Sequence, residues 1–106
     1  MSTATIHDLL PEFASELERL VKTAGRPELA PQFRELPILE RCRCGDDDCA
    51  HFYTAPNPDG GYGPGHENVL LPATHGLVVL DVVAGRIVAV EMLDRPDVKD
   101  VLDAHL

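Results

Sequence analysis

Apolar residues recur at three- and four-residue steps through the first quarter of the chain. They are Ile6, Leu9, Leu10, Phe13, Ala14, Leu17, Leu20, Val21 and Ala24, with Glu12, Glu16, Glu18, Arg19 and Lys22 on the other side. This spacing predicts an amphipathic helix with one buried stripe. Pro11 suits a first turn but would break an interior hydrogen bond, so regular helix is expected from about Pro11 to Ala24. A looser turn precedes it, which Thr5 or Asp8 can cap. Gly25 supplies the left-handed residue that ends helices, and Pro27 blocks continuation.

Arg26 to Pro37 reads as a wrapping connection with one helical turn at Glu28–Phe33. Ile38–Cys44 and Cys49–Thr54 read as two strands around a Gly-Asp-Asp-Asp turn. A long Pro- and Gly-rich loop follows from Ala55, and Asn68–Pro72 adds a short strand. The strongest β signal is Leu77–Val83, then Ala84-Gly85, then Arg86–Leu93, where β-branched residues dominate and Gly85 provides the positive φ of a tight turn. Asp94 can cap a last helix from about Pro96 to Ala104, with Val98, Val101 and Leu102 inward.

If Val83 pairs Arg86, Leu77, Val79, Val88, Val90 and Met92 share one face of that hairpin. Val78, Leu80, Val82, Ile87 and Ala89 share the other. Two aliphatic faces call for two covers: the N-terminal helix on one side, and the long loop with the C-terminal helix, or a second subunit, on the other. A homodimer is therefore an expectation. The fold class expected is α+β, with an N-terminal helix packed on an antiparallel sheet of four or five strands and closed by a short C-terminal helix. The 106 residues fit a single domain.

Net charge is −9, from 9 Lys and Arg against 18 Asp and Glu. Without a basic stripe, neither nucleic acid nor an anionic membrane is an expected partner. A basic protein partner suits this charge, as does simple solubility. No stretch reads as a signal peptide or a membrane span, so a cytoplasmic location is expected. There a structural disulfide is disfavoured, which leaves thiols or a metal site for the three cysteines.

All three cysteines fall in Cys42-Arg43-Cys44-Gly45-Asp46-Asp47-Asp48-Cys49-Ala50-His51, the pattern C-x-C-G-x-x-x-C-x-H. Thiolate and imidazole are the donors that zinc selects. Two strand registers compete. A four-residue turn sets Cys44 opposite Cys49 and Cys42 opposite His51, which places Cys42, Cys44, Cys49 and His51 on one face as a candidate Zn2+ site. A three-residue turn sets Cys42 opposite Phe52 and Cys44 opposite Ala50, and makes the thiols part of an apolar face. Burial of Phe52 argues for the second. A redox or disulfide role is a third reading.

Asp46-Asp47-Asp48 lacks the alternating ligands of a calcium loop and reads as a solvated turn. His66 and His75 could replace His51 as the fourth donor, although a solvated loop histidine is the plainer reading. Gly60-Gly61-Tyr62-Gly63-Pro64-Gly65 lacks the Lys-Ser/Thr of a phosphate loop; Tyr62 suits a lid or a partner contact.

Cys42-Arg43-Cys44-Gly45 with Cys49 and Phe52-Tyr53, together with Gly85-Arg86-Ile87-Val88-Ala89-Val90-Glu91-Met92-Leu93-Asp94, resembles small bacterial proteins of unknown function. The resemblance covers about half the chain and brings no established catalytic residues. It implies a small acidic module, and some families of that class are thought to be toxin-neutralising immunity proteins. The function expected is a non-enzymatic protein-interaction module, immunity-type or regulatory, with a structural Cys/His hairpin. The alternative is a small zinc- or thiol-dependent enzyme with its site between the hairpin and the glycine-rich loop.

Overall fold

The computed structural model describes residues 4–42, 49–56, 62–73 and 76–105. Thr5 caps α1 (Ile6–Leu9) through a capping box, its hydroxyl accepting the Asp8 N–H at 3.1 Å while the Asp8 carboxylate accepts the Thr5 N–H at 3.3 Å. Leu10 interrupts the helix, and Pro11 starts α2 (Pro11–Thr23) where its missing N–H costs nothing. The expected stripe on α2 is buried at Phe13, Ala14, Leu17 and Val21. Gly25 takes φ +79° and ends it. The Pro-rich connection is a 3₁₀ segment, Pro27–Arg34, which buries Leu29, Ala30 and Phe33.

The strands are β1 (Glu40–Arg41), β2 (Phe52–Tyr53), β3 (His66–Pro72), β4 (Leu77–Val83) and β5 (Arg86–Met92), followed by α3 (Pro96–His105). They form one antiparallel sheet in the order β1-β2-β5-β4-β3. The fold is α+β, as the patterning implies. β1 and β2 are shorter than expected, and isolated bridges Thr5–Pro37 and Cys49–Leu93 pin the chain near them.

The hairpin departs from unbroken alternation at one place. Val83 pairs Arg86 and Val82 pairs Ile87, but Asp81 pairs Ala89, so Val88 is the extra residue of a β-bulge. Beyond the bulge every side chain of β5 changes face. Val90 and Met92 therefore join Val78, Leu80, Val82 and Ile87, with Val69, Leu71 and Phe52 beside them, against the helices. Ala89 and Glu91 turn to the opposite face with Val79 and Asp81. The expected division of the hairpin into two aliphatic faces is thus corrected: the bulge moves Val90 and Met92 to the helix side, while Leu70, Leu77 and Val79 stay on the other.

Neighbours satisfy the backbone groups at the bulge. Gln32 of the 3₁₀ segment donates to Gly85 O at 2.8 Å and accepts the Ile87 N–H at 2.9 Å. The buried Thr54 hydroxyl donates to Ile87 O at 2.9 Å, and the Thr54 N–H donates to Val88 O at 2.9 Å. Buried backbone groups need such partners, since each one left unmet costs about 1–3 kcal/mol. The turn itself has positive φ at both Ala84 (50°) and Gly85 (81°), as a two-residue hairpin turn requires.

α3 docks through Val98 and Leu102, on the same side as α2. Asp94 has φ 58° and so cannot be the extended cap that the sequence implies. Arg95 does the joining instead. Its guanidinium is 8% exposed, sits 4.9 Å over the Phe13 ring, and donates to both oxygens of Glu16 on α2 and to Asp97. Hydrogen bonds from Arg95, and less so its charge, hold the Asp97 carboxyl below its ordinary range.

Leu80→Ala should lower unfolding stability by about 2–5 kcal/mol, and Gln32→Ala by about 1–3 kcal/mol. Leu70→Ala, at a side chain 58% exposed on the other face, should change it by less than about 0.5 kcal/mol. Urea denaturation of the three variants reads all three values.

Candidate functional site

The pairs Glu40–Tyr53 and Arg41–Phe52 set the register of β1 on β2. The next step sets Cys42 across from His51, and the Cys42 N–H donates to His51 O at 2.9 Å. This is the metal-competent register of the two that the sequence allows. Phe52 is fully buried in it nonetheless, because its partner is Arg41 rather than a thiol. Arg41 lays its stem on the helix side and reaches Asp103 of α3 with its guanidinium, so a long charged residue takes the place expected of an apolar one.

One residue along, every side chain points the other way. Cys42, Cys49 and His51 converge there with their ligand atoms all within 4.8 Å of one another. Donors around one tetrahedral zinc lie roughly 3.5–3.8 Å apart, so small side-chain rotations would close the group. Cys42, Cys49 and His51 thus form a group that could hold a metal ion. Cys49 is buried beside Leu93. Cys44 lies outside the described residues, as do Asp46, Asp47, Asp48 and His75.

His66 is not a further donor to this group. It belongs to β3, three strand positions from β2 in the sheet, and its Nε2 lies 2.8 Å from Asp81 Oδ1. Tyr62 stacks on the His66 ring with centroids 4.7 Å apart. Asp81, with its side chain 7% exposed, also meets Glu91, its diagonal neighbour across the β4–β5 pairing. The Asp81 hydrogen bond, then burial, then the Asp81 charge push the Glu91 carboxyl up to about 7, against a smaller opposing pull from His66. Burial likewise raises the phenols of Tyr53 and Tyr62.

His51 joins the two groups, its Nδ1 3.9 Å from Glu91 Oε1. It also separates two hollows. One, of about 180 Å³, is lined by His51, Phe52, Tyr53, Tyr62, Asp81, Ala89 and Glu91. The other, of about 390 Å³, is lined by Leu77, Val79, Met92 and Leu93 with His51, Gly76, Glu91 and Asp94. Both open on the sheet face away from the helices.

No protein-family model matches this chain, and no curated protein or solved structure matches it. Among the described residues no helix is long and apolar enough to cross a membrane. The chemistry must therefore be read from the site itself.

Sequence reasoning finds Cys42, Cys49 and His51 through their donor chemistry and period-2 spacing. It misses Asp81 and Glu91 as a pair. The available signal is that each breaks an aliphatic run, but the bulge that turns both to one face leaves no mark in the residue pattern.

In metal-free protein the Glu91 carboxyl should titrate near 7, read by carbon chemical shifts against pH. A raised carboxyl pKa stabilises the fold below the ordinary carboxyl pKa. That contribution fades as pH climbs from the ordinary 4.5 through about 7. Asp81→Asn removes the neighbouring charge and should move the Glu91 titration down; a Glu91 curve unchanged in that variant would show that burial alone sets it.

Proposed function

We propose that this domain is a non-enzymatic protein-interaction module whose β1–β2 edge is stapled by one zinc ion. The observation that carries the reading is the convergence of Cys42, Cys49 and His51 within 4.8 Å, supported by the Cys42–His51 backbone bond. Cys44, two residues from Cys42 in the sequence, is the fourth donor in this reading, giving a Cys₃His set of the structural type. The staple has a physical purpose. β1 and β2 each contribute only two paired residues, and such short strands hold weakly by backbone bonds alone. A metal bridging both strands adds its binding free energy to folding.

The surface charge supports a basic protein as the partner. With a net charge of −9, the chain would speed encounter with a cationic surface and repel nucleic acid. An immunity-type or regulatory role in a reducing compartment fits this chemistry.

One observation favours the alternative of a small zinc-dependent enzyme: a carboxyl that titrates near neutrality stands beside the donor group. The two readings differ in coordination. A stapled module closes all four positions with protein ligands, whereas a catalytic ion keeps one for water.

Elemental analysis should find one zinc per chain, with the cysteines protected from thiol reagents until a chelator is added. Cys42→Ser, Cys49→Ser and His51→Ala should each lose that zinc and lower the thermal midpoint. In cobalt-substituted protein, azide should leave the visible spectrum unchanged if coordination is closed. A spectral change would move the reading to the enzyme. No metal, with all three cysteines reacting at once, would end both.

A further inference from the structure

We infer that the smaller hollow on the open sheet face is a receptor for an organic cation, an ammonium or guanidinium group carried on an aliphatic stem. The hollow owes its existence to one small residue. Tyr53, Ala89 and Asp81 stand in a row across β2, β5 and β4, and the methyl of Ala89 leaves the space between the other two unfilled. His51 and Glu91 form the wall one step along the strands, and Tyr62, stacked on His66, closes the other side.

The lining selects the charge. Two carboxyls, Asp81 and Glu91, face the hollow, and among the described residues no Lys or Arg lines it or the adjoining groove. Asp81 is nine-tenths buried and bonds both to the His66 imidazole at 2.8 Å and to Glu91. The His51 imidazole lies 3.9 Å from Glu91. Two carboxyls in contact repel when ionised, and an incoming cation relieves that repulsion. The rings of Tyr53 and Tyr62 offer π faces that attract ammonium and guanidinium groups.

The donor set selects an organic cation over a metal ion. A hard metal ion takes six or more oxygen ligands, whereas the described lining offers two carboxyls on either side of the Ala89 methyl and two aromatic rings. The volume of about 180 Å³ holds a cationic head and a few methylenes, not a drug-sized molecule. The apolar groove of Leu77, Val79 and Leu93 begins at the shared wall of His51 and Glu91 and can take the rest of a stem or an adjacent aliphatic residue. The cation can come from a lysine or arginine side chain of a basic partner or from a free amine. The inference rests on the interaction-module reading only for that source.

The test uses the full chain with its metal bound. Backbone amide shifts of Tyr53, Ala89 and Glu91 are followed while n-butylammonium, n-butylguanidinium and uncharged n-butanol are added. Saturable shifts with the two cations and none with butanol are expected. Ala89→Val, which fills the hollow, and Glu91→Gln, which replaces the carboxyl by a neutral amide at constant shape, should each weaken cation binding at least about tenfold, close to 1.4 kcal/mol. Leu70→Ala, on the same face beyond the hollow, should bind as the parent does. Equal response to butanol, no saturation, or parent-like binding by both cavity variants would overturn the inference. A Leu-Lys-Leu peptide amide compared with 1,5-diaminopentane identifies the source: tighter binding of the peptide points to a protein side chain, and of the diamine to a free amine. Metal content measured on the same samples separates the two readings. Lost cation binding with zinc retained removes the receptor alone, and cation binding in protein that never held zinc removes the staple alone.

Discussion

A single extra residue in β5 sets the character of both faces of the sheet. Val88 bulges out of the β4–β5 ladder, and everything after it is turned over. Without that turn Val90 and Met92 would face water, and Glu91 would be driven among the core side chains, where an unpaired carboxylate is very costly. With it, the apolar side is continuous from Phe52 through Val90 and Leu80 to Val69, and three helices and a 3₁₀ segment cover it. The acids collect on the other side. Gln32 and Thr54 hold the bulge by taking up the backbone groups around Ile87 and Val88, so residues 33 to 55 positions away in sequence secure it.

This arrangement explains why the polar chemistry of so small a chain lies together. Cys42, Cys49, His51, Tyr53, Asp81, His66 and Glu91 come from every strand or from its immediate flank, and all are presented on the face that the helices leave open. The thiol–imidazole group and the carboxyl pair are neighbours through His51 and Glu91, but their physics differs. The first is a set of soft donors at a weakly paired sheet edge. The second is a like-charge pair over the best-paired strands, where a rigid floor can hold two carboxyls in contact despite their repulsion.

Arg95 plays the corresponding part on the helix side. A guanidinium under the surface, bonded to Glu16 and Asp97 and lying over Phe13, ties the C-terminal helix to the N-terminal one. Its bidentate geometry suits it for this, because a planar fork fixes orientation as well as distance. Arg41, reaching Asp103 from the first strand, brings the far sheet edge to the same helix. The β1 edge is thus tied to α3 by the Arg41–Asp103 ion pair before any metal is considered.

Local pattern was enough to place the N-terminal helix, because Phe13, Ala14, Leu17 and Val21 repeat with the period of one helical face, and Pro11 and Gly25 mark its ends. It was enough for the β4–β5 hairpin, where β-branched runs flank Ala84-Gly85, and for the donor chemistry of Cys42, Cys49 and His51. Residue type and spacing carry these features because they depend on neighbours in the chain. Pattern could not choose between the two registers of the cysteine hairpin, since the one that forms places Arg41 against Asp103, some sixty positions away, where the other expects an apolar residue. Nor could it show the bulge, or bring Asp81 and Glu91 together with His66 and Tyr62. Those are decided by which distant groups satisfy a backbone that has slipped by one residue, and such contacts exist only once the chain has closed on itself.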